Sequence, residues 1–176
     1  MARNGFLGLG GNVKDRRKML QDAVDALPGA GVVPLQSSSV YLTTAVGGPP
    51  GQPDFLNACL RVQTELEPGD LLDALKAIEH AAGRPAAGRR GYVRHGPRPV
   101  DLDLLLLDAA HVETERLTVP HPALTRRRFV LVPLLELDFS LTLPGGALLS
   151  DALARLGTGE DVRRHGPPLT LAPAGS

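Results

Sequence analysis

Phe55-Leu-Asn-Ala-Cys-Leu-Arg-Val-Gln-Thr-Glu-Leu66, with Pro68 two residues beyond, decides the fold class of this 176-residue chain. Leu56, Ala58, Leu60, Val62 and Leu66 fall on one side of a period-two repeat. Phe55, Asn57, Cys59, Arg61, Gln63 and Glu65 fall on the other. Successive side chains of an extended chain point to opposite faces, so the repeat predicts a strand with one apolar face. From Pro68 the period changes. Leu71, Leu75, Ile78 and Ala82 recur at helical spacing, Pro68 suits the first helical position, and Gly83 suits the position just past the last.

On the N-terminal side, residues 6–9 read as a short strand ending in Gly10-Gly11. A helix capped by Asp15 follows, with Leu20, Ala23, Val24 and Leu27 on its buried stripe, until Pro28-Gly29 stops it. Residues 32–41 read as a second strand and the Gly/Pro-rich residues 43–53 as a loop. On the C-terminal side, residues 84–99 read as a second loop and residues 102–107 as a buried strand. Residues 125–137 have a helical pattern that Pro133 must start, kink or break. Residues 139–143 predict another strand, residues 148–156 a last helix, and residues 166–176 a disordered tail. Strand, helix, strand, strand, helix, strand is the order of an α+β, ferredoxin-like βαββαβ sandwich, here with added strands and helices and a mostly antiparallel sheet. A single domain over residues 1–165 accounts for the pattern.

Composition narrows the function. The 19 basic residues balance 19 acidic ones. A general nucleic-acid or membrane-surface binder would carry a basic excess, so neither partner is expected and any anion site must come from local clustering. Cys59 is the sole cysteine, which forbids an intramolecular disulfide, and no apolar signal stretch opens the sequence. Both features predict a reducing, cytoplasmic setting.

The strongest chemical signal is His95-Gly-Pro-Arg-Pro-Val-Asp-Leu-Asp103, running into four leucines. Asp101 and Asp103 lie two apart at the start of a strand, so their carboxylates share a face, roughly 7 Å apart at Cα. Paired like charges are unfavourable without a cation, and all-oxygen ligands suit Mg²⁺, with room for two ions beside a triphosphate. Arginines crowd the same region: Arg84, Arg89, Arg90, Arg94 and Arg98, then Arg126, Arg127 and Arg128. Guanidinium groups bind phosphate oxygens bidentately. There is no P-loop signature, and Gly8-Leu-Gly-Gly-Asn12 lacks the third glycine of a dinucleotide fingerprint, so it reads as a tight strand-to-helix turn. Phe55 and Asn57 share the polar face of their strand. A ring that stacks and an amide that donates and accepts can recognise a flat heterocycle. His121 is held between Pro120 and Pro122, either to contact a phosphate or ribose or to bond within its own loop.

In combination the chain resembles the 6-hydroxymethyl-7,8-dihydropterin pyrophosphokinases of folate biosynthesis. The resemblance rests on Phe6-Leu-Gly-Leu-Gly-Gly-Asn12, Gln52-Pro-Asp-Phe-Leu-Asn57, Gly96-Pro-Arg-Pro-Val-Asp-Leu-Asp103, and Leu117-Thr-Val-Pro-His-Pro122 with Arg127 and Phe129 beyond. It implies an α+β fold, transfer of pyrophosphate from ATP to the pterin alcohol, and release of AMP; the expected partners are these small molecules, and the expected state is a monomer. It further implies Asp101 and Asp103 as Mg²⁺ ligands, and Arg84 and Arg98 in catalysis and phosphate binding. Phe55, Asn57 and Phe129 match the pterin pocket, with Thr43 and Val46 beside it. Glu79, Arg116, Thr118, His121 and Arg127 match positions around ATP.

The chain departs from the family pattern at Gly11 (usually Ser), Ala45 (often Pro) and His95 (often Trp), and in a longer stretch between Arg84 and Arg94. Two other classes compete: a metal-dependent phosphodiesterase or nuclease, which also uses paired aspartates, and an RNA-binding ferredoxin-like module. The latter wants several surface aromatics and a basic excess, and the chain is 3% aromatic and neutral. Loops 43–53 and 84–97 are expected to move and to close over the substrates.

Overall fold

The computed structural model describes residues 1–13, 15–44, 50–83, 100–158 and 161–173. The alternating stretch is the central strand of a six-stranded sheet. β1 (Arg3–Gly11), β2 (Val32–Ser37), β3 (Val40–Thr43), β4 (Phe55–Thr64) and β5 (Asp101–Leu107) are joined by β8 (Val162–Gly166), while β6 (Val112–Glu113) and β7 (Thr118–Val119) form a separate ribbon beside β5. β1 pairs with β4 over its whole length, from Arg3 opposite Thr64 to Gly11 opposite Leu56, and β5 lies on the other side of β1. Every ladder among the described residues is antiparallel. The order β5-β1-β4-β2 is that of a ferredoxin-like sheet, and β3 and β8 extend it.

α1 (Arg16–Ala26) begins where Asp15 accepts a hydrogen bond from the Lys18 backbone N–H at 3.2 Å. It packs on one face of the sheet together with α2 (Pro68–Ala81). Leu20, Val24, Leu71 and Leu75 from the helices meet Leu7, Leu9, Leu60, Val62 and Leu102 from the strands. The other face is covered as well. α3 (Arg128–Leu137) and α4 (Leu149–Leu156) bury Leu131, Leu134 and Leu149 against Phe6, Cys59, Leu105 and Leu106. Both faces of β4 are therefore buried near Asn57 and Cys59, where sequence alternation alone marked only one as apolar.

Four expectations need correction. β1 continues through Gly11, so Gly8 to Gly11 is strand and not turn. The stretch expected as one strand over residues 32–41 is two, broken at Ser38-Ser39. There Ser38 pairs with Cys59 through its backbone N–H and its side chain, each at 2.9 Å, and the hydroxyl takes over a ladder position. Residues 139–143 form no strand, only a bridge between Thr142 and Leu148. Asp138 Oδ1 accepts from the Ser140 N–H and hydroxyl and closes a turn instead. The tail is ordered at least to residue 173. Leu169 is 3% exposed, the Pro167 and Pro168 carbonyls accept from Arg17, and Thr170 exchanges two hydrogen bonds with Gln21. Leucines at alternate positions 169 and 171 give this Pro/Gly-rich segment apolar surface to bury.

Pro133 lies inside α3 without ending it. A proline inside a helix costs about 3 kcal/mol. Burial of Leu131, Leu134, Leu135 and Leu137 on the same helix, at about 1.5–3 kcal/mol for each side chain, exceeds that cost.

Candidate active site

The α3-facing side of the sheet opens into a cavity of ≈ 300 Å³ at the end where β1 and β3 finish and β4 and β5 begin. Its floor is β1. Leu7 and Leu9 point to the opposite core, so Gly8 and Gly10 face the cavity and leave it room. Thr43, Phe55, Asn57 and Cys59 form one side, Asp101, Asp103 and Leu105 another, and Arg127, Phe129 and Val130 close it from the start of α3. The cavity is lined from five stretches of chain and thus gathers two carboxylates, one guanidinium and an aromatic slot.

Asn57 is 8% exposed and donates from Nδ2 to Thr43 Oγ1 at 2.5 Å. That bond fixes which edge of the amide remains for a ligand. Residues 52–54 before it are held in place: Asn12 Nδ2 donates to Gln52 Oε1 and to the Pro53 carbonyl, and Arg16 donates to the Asp54 carbonyl. The three consecutive arginines separate. Arg126 donates to the Pro122 carbonyl and Arg128 to the Gly157 carbonyl, whereas Arg127 lines the cavity, its guanidinium 5.6 Å from the Phe129 ring centre.

Asp101 and Asp103 share the cavity face, as their spacing requires, while Leu102 and Leu104 turn to the other core. Behind them Glu79, on α2, is 2% exposed and accepts from the Leu102 backbone N–H at 2.8 Å through Oε2. Burial first, then a hydrogen bond and charge from Asp101, raises the Glu79 carboxyl to about 7. Burial first, then the charges of Asp101 and Glu79, raises Asp103 to about 7 as well. Lys76 pairs with Glu79 Oε1 at 3.3 Å, and the charges of Lys76 and Arg127 act on Asp103 in the opposite sense. The all-oxygen donor pair fits a hard divalent ion that keeps several of its waters. Among the described residues no group of three His, Cys, Asp or Glu side chains stands arranged as a closed metal cage.

The remaining expected residues sit beyond this acidic edge. Thr118 lies on β7, and Arg116 just before it pairs with Asp73 of α2. His121 follows the ribbon, and its backbone N–H donates to the Leu105 carbonyl at 3.0 Å. Its Nδ1 accepts from the Ala123 N–H at 3.1 Å, so the imidazole does bond within its own loop. Burial and then the Arg127 charge lower its pKa below the ordinary 6.5. A neutral ring whose Nδ1 accepts leaves Nε2–H as a donor. Arg84, Arg98 and Val46, the additional arginines from Arg89 to Arg94, residues 45–49 of the first proposed lid and all of the second lie outside the described residues. Residue-by-residue reading missed Gly8, Gly10, Cys59 and Leu105 as cavity lining. The alternation of β1 and β4 carried the signal for the first three, had both sheet faces been treated as covered.

A family model, 7,8-dihydro-6-hydroxymethylpterin-pyrophosphokinase, matches residues 6–139. Proteins named 2-amino-4-hydroxy-6-hydroxymethyldihydropteridine pyrophosphokinase are similar over most of their length. That of Methylorubrum extorquens is 39% identical, covering 86% of this chain and 92% of its own, and that of Pseudomonas aeruginosa is 40% identical, covering 88% and 92%. In fold, the chain resembles the wild-type HPPK-DHPS of Plasmodium falciparum, with a TM-score of 0.64 at 11% identity over 88% of this chain. The chain spans 45% of that longer protein. Fold and sequence together define an ATP-using transferase of small molecules. The chain belongs to the 7,8-dihydro-6-hydroxymethylpterin-pyrophosphokinase family.

Proposed function

We propose that this cavity is where the chain transfers pyrophosphate from ATP to the hydroxymethyl group of 6-hydroxymethyl-7,8-dihydropterin, releasing AMP, in folate biosynthesis. The observation that carries the site assignment is the joining, in one cavity, of Asp101 and Asp103 with Asn57, Phe55 and Phe129. Asn57 and the two rings take the flat heterocycle, by hydrogen bonds to its edge and stacking on its faces. The alcohol oxygen then lies toward the aspartates. Asp101 and Asp103 would hold Mg²⁺, which would supply charge neutralisation for the transferring phosphates. Arg127 faces the same space and Nε2 of His121 offers a neutral donor to a phosphate oxygen. Arg116 and Thr118 bind the nucleotide from the β6–β7 side. Glu79 fixes the start of β5 through Leu102 and so aims both aspartates. Arg84 and Arg98 complete the phosphate contacts. No side chain is needed as an obligatory base. Alignment and charge neutralisation are what this transfer demands.

The chain acts as a monomeric, cytoplasmic domain over residues 1–165, to which the segment through residue 173 is added by the burial of Leu169 in the same core. No described helix is long and apolar enough to cross a membrane.

Asp101→Asn and Asp103→Asn test the assignment. Calorimetric titration with Mg²⁺ and a non-hydrolysable ATP analogue should show binding at least tenfold weaker, and turnover should fall by roughly three orders of magnitude, the scale of losing one preorganised electrostatic partner. Normal turnover in either folded variant would remove the aspartates from the site.

A further inference from the structure

The cavity depends on how far α3 stands from β3, and one carboxylate spans that gap at its outer end. Glu136 Oε1 accepts from the Tyr41 hydroxyl at 2.5 Å, and Oε2 accepts from the Ser39 backbone N–H at 2.7 Å. Ser39 is tied in turn to β8, its hydroxyl accepting from Arg164 Nε at 2.9 Å. Tyr41 lies opposite Asn57 in the β3–β4 ladder, and Thr43 lies opposite Phe55. Tyr41 and Thr43 therefore share the face that lines the cavity. On α3, Glu136 is seven residues after Phe129, two turns along the same side of the helix. The side of α3 that carries Phe129 into the cavity thus carries Glu136 to β3.

Resting on the pterin reading of the cavity, we propose that Glu136 and Tyr41 are positioning residues that set the width of the heterocycle slot between Phe129 and the Thr43–Asn57–Phe55 wall. Neither touches substrate. A carboxylate with one oxygen bound to Tyr41 of β3 and the other to Ser39, just before that strand, fixes helix and strand in distance and in rotation, which a single contact would not. Glu136 is exposed at the sheet rim, so its bonds contribute little to global stability, and their loss acts on slot geometry first. The burial of Tyr41 and its bond to Glu136 keep its phenol protonated and donating far above neutral pH.

The test compares the wild type with Tyr41→Phe, Glu136→Ala, their double variant, and Glu136→Gln. Glutamine keeps both links, because its oxygen can accept from the Ser39 N–H while its amide donates to the tyrosine oxygen. Direct titration with 6-hydroxymethylpterin and steady-state kinetics should show pterin Kd and KM raised roughly tenfold in Tyr41→Phe and Glu136→Ala, the scale of a sub-ångström misfit. The KM for ATP should stay within twofold. The double variant should be no worse than Glu136→Ala alone, and Glu136→Gln should behave as wild type. An unchanged pterin Kd in folded Glu136→Ala, or equal losses for both substrates, would overturn the proposal while leaving the pterin reading intact. A wild type that does not bind the pterin would defeat that reading and the positioning role with it.

Discussion

The side-chain oxygen of Asn57 takes the space that a side chain on residue 10 would need: a Cβ built on Gly10 would stand 2.5 Å from Asn57 Oδ1. The two residues are register partners in the β1–β4 ladder. The absence of a side chain at position 10 is therefore what lets the amide lie against β1 and keep its bond to Thr43.

Gly10→Ala should displace that amide. We expect pterin binding to weaken by at least about tenfold, with an overpacking cost of about 1–3 kcal/mol in stability. Calorimetry with pterin, with chemical denaturation alongside, measures both. In an Asn57→Ala background the added methyl has no amide to strike, so Gly10→Ala should then cost little more. A full additional loss of pterin affinity in the double variant would show that the glycine acts through something other than Asn57.

The acidic edge makes a prediction about pH. Asp103 and Glu79 rise from ordinary values of 3.8 and 4.5 to about 7 in the folded chain. The folded state then holds protons more tightly than the unfolded state. The resulting stability is complete below about pH 4 and is lost as pH rises through about 7. The Tm of the metal-free protein should accordingly fall between pH 5 and pH 8, and millimolar Mg²⁺ should raise it more at pH 8 than at pH 5. Equal Mg²⁺ shifts at both pH values would disconnect these acids from the cation.

The segment after β8 should matter for stability although it lies beyond the matched residues 6–139. Leu169 is buried with the α1–α2 core. Leu169→Ala should cost about 2–5 kcal/mol, the usual range for a buried leucine. Truncation after Gly166 should cost at least as much. Urea denaturation settles it, and a truncated chain as stable as the full one would return the segment to the status of a tail.

How much of this the sequence disclosed follows from the range of the forces involved. The period-two repeat of β4, the Asp15 cap and the Asp101–Asp103 pair are local patterns, and each appears where its spacing requires. What stayed hidden depends on partners distant in sequence. Leu169 is buried only because α1 lies alongside it. The break at Ser38 exists only because Cys59 supplies its ladder partner. Pro133 stays inside a helix only because the sheet rewards the leucines around it. In the site, the charged residues announced themselves, while Gly8 and Gly10 did not, since a glycine that makes room is legible only once its neighbour across the sheet is known. The role of Glu136 is of the same kind: seven residues from Phe129 on α3, it meets Tyr41 only in the folded sheet.

The central claim is tested most directly by incubating the protein with ATP, Mg²⁺ and 6-hydroxymethyl-7,8-dihydropterin and separating the nucleotide products. The account predicts AMP in equimolar amount with pyrophosphorylated pterin, and no AMP when either the pterin alcohol or Mg²⁺ is omitted. Stoichiometric ADP, or AMP formed without the pterin, would contradict it.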